Sequence, residues 1–286
     1  MKQKLSNFLI FCNGSEENLP ALQYGVLLAQ ALGASVDLLG IIESNDRQQA
    51  VIRQLEDASA RLSETGVVFT SESTKGLVRD VLHELAGLET HDLLIFGPLG
   101  RPPLRRWLRG RSFRRILSEI GVPILYVPEV RWPIRRALVC MGGLGYSLTA
   151  ENHGLQIAQS VHAALTLLHV VPPIDLDYPL AREVQDNWEH LSDTDTLPGK
   201  TIRQAVALAA SQGLNAEVRV LHGHVVEEVL KEIKQGDYDL VCMGSPYSSH
   251  SLLHLYTPNV TAEVAENAHI PILTARFEAP QESTEK

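Results

Sequence analysis

The residues best suited to chemistry in this chain lie between Asp92 and Val127. Gly97, Gly100 and Gly110 stand at the spacing G-x2-G-x9-G, with Arg111 and Ser112 directly after the third glycine. Glycines so placed let the backbone turn tightly and approach a ligand closely, and N–H groups ahead of a helix N-terminus attract an anion. Arg111 adds a permanent charge on a planar fork of donors, and Ser112 adds a hydroxyl. A glycine spacing alone is a permissive pattern, so its weight depends on the elements around it. DLLIF (92–96) is a short apolar run without helical period, and Phe113, Ile116, Leu117 and Ile120 then recur at helical spacing until Gly121. Val122 to Val127 reads as a second strand, with Pro123 near its start, where proline is tolerated. A helix between two strands makes their pairing parallel.

The rest of the chain supplies the same alternation. FLIFC (8–12) is a buried-type strand entering the turn Asn13-Gly14-Ser15, and a helix over 17–32 ends at Gly33. Strands over 36–42 and 67–72 and helices over 47–65 and 77–88 complete five strands and their crossovers. The order then returns. Gly76 and Gly223, before the third helix, are 147 residues apart, as are Asp92 and Asp239; Pro123 and Pro271 are 148 apart. Cys12 and Cys140 are 128 apart, so the second copy carries about 19 extra residues, placed in the proline-bounded, acidic stretch 172–199. The reading is α/β: two tandem doubly wound parallel sheets of five strands, domain 1 over 1–130 and domain 2 over 134–278, with a disordered tail at 279–286. Ligands of such sheets bind at the carboxyl ends of strands where the winding reverses.

The glycine loop after a parallel strand, closed by G-V-P-I-L, resembles the nucleotide loop of the universal stress protein family, and the resemblance covers nearly the whole chain as a tandem of two family domains. It implies the strand order 3-2-1-4-5, with the turn at Asn13 facing the loop from Gly97. It also implies that the fifth strands pair across a two-fold axis, Val122–Val127 beside Ile270–Ala275, so that the halves form a pseudo-dimer within one chain. It implies ATP or another adenine nucleotide, held in domain 1 by Asn13, Ile41, Gly97, Gly100, Gly110, Arg111 and Ser112, with the end of strand two gripping adenine through its backbone. This chain departs from the family twice: Asn13 stands for the usual Asp, and Arg111 for the Ser or Thr after the third glycine. Asn keeps an acceptor and removes a negative charge. In domain 2, Gly244 remains, but Tyr247, Pro258, Asn259 and Met141 take the matching positions, and proline has no N–H to offer a phosphate. No nucleotide is expected there.

Composition narrows the function further. Net charge is −9, yet ten arginines against Glu119 and Glu129 give +8 between Gly97 and Arg136, leaving −17 for the remainder. A cationic island on an acidic body points to a local anionic partner and away from nucleic-acid coating. Within it RPPLRRWLRGRSFRR (101–115) carries Leu104, Trp107 and Leu108 among arginines, the composition of a segment that meets an acidic partner or an anionic lipid. The blander reading packs the tryptophan under the loop. No apolar run reaches the roughly 20 residues a membrane span needs. Cys12, Cys140 and Cys242 make no disulfide framework, which places the chain in the reducing cytoplasm, and they end buried-type strands as small core groups.

His222, His224, His250 and His254 offer imidazoles to zinc, but no cysteine or carboxylate completes a set, so they read as surface groups and no metal is expected. G-x-x-x-x-G-K-[ST], G-x-S-x-G and H-E-x-x-H are all absent. The expectation is a regulatory binding module with no committed catalytic machinery, taking a small nucleotide and a protein partner that the sequence does not name; the reading admits a homodimer. A slow ATP hydrolase and an interaction protein that uses its arginine island without nucleotide are the alternatives.

Overall fold

The computed structural model describes residues 4–78, 80–81, 84, 90–98, 120–142, 147–173, 179–245 and 260–276. Ten strands among them form one continuous sheet: β1 (Asn7–Cys12), β2 (Ser35–Ile42), β3 (Phe69–Lys75), β4 (Leu93–Phe96), β5 (Ile124–Tyr126), β6 (Arg136–Cys140), β7 (Ala164–Val171), β8 (Ala216–His222), β9 (Leu240–Ser245) and β10 (Ile272–Arg276). Their order is β3-β2-β1-β4-β5-β10-β9-β6-β7-β8. Each half thus reads 3-2-1-4-5 and is parallel throughout. The expected pair of sheets is a single mixed sheet, because β5 and β10 join antiparallel, Tyr126 opposite Ile272 and Ile124 opposite Thr274. Two edges that would otherwise lie open are closed against each other.

Among the described residues the helices with defined bounds are α1 (Leu19–Leu32), α2 (Gln48–Thr65), α3 (Leu148–Val161), α4 (Pro179–Asp186), α5 (Leu197–Ser211), α6 (Val225–Gly236) and α7 (Val260–Asn267). One face of the sheet packs residues of α1, α2, α3 and α5, including Leu28, Leu62, Leu155 and Ile202; the other packs α6 and α7 through Val229, Ile233, Val264 and Ala265. Gly33 and Gly66 end α1 and α2 in the left-handed conformation that glycine adopts without steric cost.

Some element boundaries differ by a few residues from those expected. The strand expected over 67–72 begins at Phe69, and Val68 is 76% exposed. The helix expected from residue 17 begins at Leu19, after a 3-10 turn over Glu16–Asn18 that lets Pro20 enter the first helical turn, where its missing N–H costs nothing. The stretch 172–199 contains α4 and a 3-10 segment, Trp188–Asp193, whose Leu191 is fully buried. The recurring aspartates have a common structural task. Asp92 Oδ2 accepts from the N–H groups of Ser6 (3.0 Å) and Asn7 (2.9 Å), and Asp239 Oδ2 from those of Arg135 (2.7 Å) and Arg136 (3.0 Å). In both halves the residue opening the fourth strand ties down the start of the first.

Candidate functional site

Strand register assembles the site. β1 pairs with β2 through Cys12 and Gly40, and with β4 through Ile10 and Ile95. Continuing those registers sets Asn13 level with Ile41, and Gly97 level with Cys12, at the carboxyl ends of three adjacent strands that lie about 4.8 Å apart. β1 and β4 are also where the winding reverses, the place an open α/β sheet leaves for a ligand. Gly100, Gly110, Arg111 and Ser112, like the arginine-rich stretch 101–115, lie outside the described residues, as do Tyr247, His250, His254, Pro258, Asn259 and the tail 279–286.

The turn after β1 is rigid. Asn13 is 2% exposed, and its Oδ1 accepts the Ser15 N–H at 3.1 Å, an Asx turn that fixes the chain over two residues. Gly14 has φ +74°, and a Cβ there would meet the Arg47 carbonyl oxygen, Ala50 and Val51 at 3.2 Å. From α2, Gln54 grips the turn at both ends: its Oε1 accepts the Gly14 N–H (3.1 Å), and its Nε2 donates to the Ser15 carbonyl (2.9 Å). Gly97 leaves no space for a side chain either, since a Cβ would lie 3.0 Å from the Val127 oxygen and 3.2 Å from Asn18 Cα. Its N–H donates to Asn18 Oδ1 at 3.3 Å. Beneath this level Phe11 and Phe96 stack with centroids 5.2 Å apart, and Ile41 is fully buried. Burial pushes the Cys12 thiol up to about 12, although a hydrogen bond from Gly14 opposes the shift, so it remains a neutral core group.

Gln54 and Asn18 were not among the expected site residues. Gln54 is buried among Val51, Leu55 and Ala58 on the inner face of α2, so an amide inside an apolar stripe was its visible signal. Asn18 precedes Leu19-Pro20, a dipeptide that marks a helix start and so an N-cap.

The matching level of the second half is filled from within. Met141 is buried and donates its N–H to Leu168 O (2.8 Å), while the buried His169 donates Nδ1–H to the Met141 carbonyl (3.1 Å). Gly142 N–H donates to Ser147 Oγ at 2.8 Å, and Ser147 in turn donates to Glu151 Oε1. Glu151 is 1% exposed, and burial raises its pKa, against the opposing pull of the Ser147 hydrogen bond. Desolvation likewise lowers His169, so it is a neutral imidazole with a defined tautomer.

Of the four histidines weighed as zinc ligands, His222 and His224 lie among the described residues. His222 Nε2 donates to Gln185 Oε1 at 2.8 Å, and its ring lies 5.9 Å from that of Trp188, both partners coming from the extra stretch after β7. His224 is exposed at the start of α6. Among the described residues no three His, Cys, Asp or Glu side chains gather as metal ligands, and no helix is long and apolar enough to cross a membrane.

The sequence profile of the universal stress protein family matches residues 5–128 and again 133–276. A universal stress protein of Synechocystis is 22% identical over 95% of this chain and 100% of its own length, and one from Methanocaldococcus jannaschii is 22% identical over 50% of this chain and 82% of its own. The crystal structure of a universal stress protein from Archaeoglobus fulgidus superposes with a TM-score of 0.68 at 15% identity, covering 96% of this chain and 99% of that one. A functionally unknown protein from Pseudomonas aeruginosa gives 0.69 at 17%, covering 95% and 92%. These structures share the fold at an identity too low to carry ligands across. Matched nearly end to end in two successive copies, and with each half's strands in the order the resemblance implied, the chain belongs to the universal stress protein family in its tandem two-domain form.

Proposed function

We propose that the first half binds one adenine nucleotide, with its phosphates at the level of Gly97 and the Asn13–Ser15 turn, and that the chain acts in the cytoplasm as a regulatory module rather than an enzyme. The observation that carries this reading is the pairing of two backbone turns at the β1/β4 reversal. Neither Gly14 nor Gly97 has room for an unstrained side chain, so main chain rather than side chain borders the crevice. Backbone amides and a close approach are what a phosphate needs, and Arg111 adds cationic attraction from the loop that follows. Among the described residues, the corresponding turn of the second half is held by Met141, His169 and Ser147 instead.

Isothermal titration of ATP and AMP against the wild type, Gly110→Val and Arg111→Ala tests it. One molecule per chain is expected, binding more weakly as salt screens the arginine and lost in Gly110→Val. Two molecules per chain, or binding indifferent to Gly110→Val, would mean the site is elsewhere. No binding to any form would favour the arginine island as a surface for an anionic partner. Phosphate release that scales with protein and vanishes in Arg111→Ala would make the chain a slow hydrolase.

A further inference from the structure

α1 and α3 are matching helices, residue for residue at an offset of 129, and the match pairs Tyr24-Gly25 with His153-Gly154. Both lie on the same face of the sheet, and each approaches the opposite half. Tyr24 is fully buried, meets Trp132 edge-on at 5.6 Å, and feels the charge of Asp239 in the second half. His153 is 2% exposed and feels the charge of Asp92 in the first half. Asp92 and Asp239 are themselves repeat mates, so the two-fold relation extends to the environment as well as the helices.

The mates differ in chemistry. Neither the Tyr24 hydroxyl nor either nitrogen of His153 has a hydrogen-bond partner. The side chain of Gln156, one turn on from His153, favours the imidazolium, but its amide oxygen already accepts the Leu5 N–H at 3.2 Å. A phenol in such a place stays neutral throughout the physiological range, and burial here pushes its pKa further up. An imidazole does not, because its ordinary value of 6.5 lies inside that range.

We infer that His153 is an acid-sensitive latch on the seam between the two halves: neutral, it is a packing group, and once protonated it cannot stay buried without a partner, so α3 lets go of the first half and the β5–β10 pairing loosens. The titratable groups on the elements packed against α3 are Tyr24 of α1, Arg136 and Cys140 of β6, His169 of β7, Cys242 of β9 and Arg276 of β10. Tyr24, Cys140 and Cys242 stay neutral, their values raised by burial. Desolvation outweighs the charge of Asp92 and the side chain of Gln156, both of which favour the imidazolium, and brings His153 down to about 4. Asp92 is also engaged by Ser6 and Asn7 at 2.7–3.0 Å. The sign follows. A folded value below the unfolded one gives stability that is complete above 6.5 and is lost as pH falls from 6.5 to about 4.

The experiment compares the full chain with His153→Gln and with His153→Tyr, which copies the mate in α1. Urea unfolding and amide hydrogen exchange, corrected for intrinsic rates, are measured at about pH 7.5 and 5. The wild type should lose on the order of 30-fold more of its folding equilibrium constant than either variant across that interval. Its protection should fall first over 124–126 and 272–274, before β1 and β2. A pH dependence unchanged in the variants, or exchange rising evenly through the sheet, overturns the inference. Should neither variant fold, proton NMR of the wild-type imidazole decides: titration well below 6.5 with concurrent loss of seam protection supports the latch, and titration near 6.5 with an intact seam refutes it.

Discussion

The turns that follow β1 and β6 occupy the same place in the two halves and are held by unrelated means. After β1, Gln54 reaches over from α2 and bonds only to backbone, and the left-handed Gly14 lies where an added Cβ would come 3.2 Å from Arg47 O and Ala50. After β6, the clamp comes from α3 and β7: Ser147 takes the Gly142 N–H, Glu151 takes the Ser147 hydroxyl, and His169 caps Met141. One position explains much of the contrast. Gly40 on β2 lies so close to α2 that a Cβ would come within 2.5 Å of Val51, whereas its mate is His169, whose buried imidazole fills the space under the second turn. In the first half α2 itself comes close to the strand; in the second a buried side chain takes that place. A duplicated fold can therefore keep its strand order while its two copies hold the same turn by different means.

The sharpest test of this contrast places the same residue at the first described glycine of each turn. Gly14→Val puts a β-branched side chain at φ +74° against atoms at 3.2 Å, and should cost about 3 kcal/mol. At Gly142 the nearest atom to a new Cβ is Ser147 Oγ at 3.6 Å, and φ lies outside the left-handed region, so Gly142→Val should cost less than about 1 kcal/mol. Urea unfolding of both variants gives the comparison. Equal losses would mean that the two turns are built alike after all.

Next in size are the clamps. Ser147→Ala removes the acceptor for Gly142 N–H and the donor to a buried acid at once, for an expected loss of about 2 kcal/mol. Gln54→Ala also breaks two bonds, and nearby water can replace one of them at the half-exposed Gly14, so about 1 kcal/mol is expected. Unfolding midpoints rank the two, and the reverse order would show that the first turn is the more deeply committed one.

What could be read in advance follows from the kind of signal each feature leaves. The five-strand order of each half and the β5–β10 pairing were legible because repeated strands, Gly76 with Gly223 and Pro123 with Pro271 recur at nearly one offset, and because the resemblance supplied the winding. That Asp92 and Asp239 recur was visible; that they tie down the first strand was not, because a carboxylate at a strand start has no local pattern that reveals its acceptor role. Of the nucleotide residues, the register brings Asn13, Ile41 and Gly97 to one end of the sheet, while Gly100, Gly110, Arg111 and Ser112 lie outside the described residues. Gln54 escaped because its partners are backbone atoms 39 and 40 residues away. The partner of His222 stayed hidden because spacing shows an imidazole and conceals its neighbour, and Gln185 comes from a stretch whose sequence pattern assigned no secondary structure.

The smallest effect separates the halves by pH instead of by substitution cost. Glu151 carries a pKa raised by burial, so folding favours its neutral form, and the stability it contributes is complete below the ordinary value of 4.5 and is lost as pH rises through its raised value. Glu151→Gln keeps an oxygen to accept the Ser147 hydroxyl and removes the titration. The variant should therefore match the wild type near pH 4 and gain on it as pH rises toward 7. Two residues along α3, His153 acts in the opposite sense, its contribution falling away as pH drops from 6.5 toward about 4. A single helix thus carries an acid that destabilises the fold as it ionises and a base that destabilises it as it protonates, whereas their mates in α1, Leu22 and Tyr24, have no such response. Urea midpoints of the wild type, Glu151→Gln, His153→Gln and the double variant, taken at intervals from about pH 4 to 7.5, should show single-variant differences of opposite slope that sum in the double. Parallel profiles for Glu151→Gln and the wild type would mean that Glu151 ionises as freely folded as unfolded, and the second turn would then be closed by shape alone.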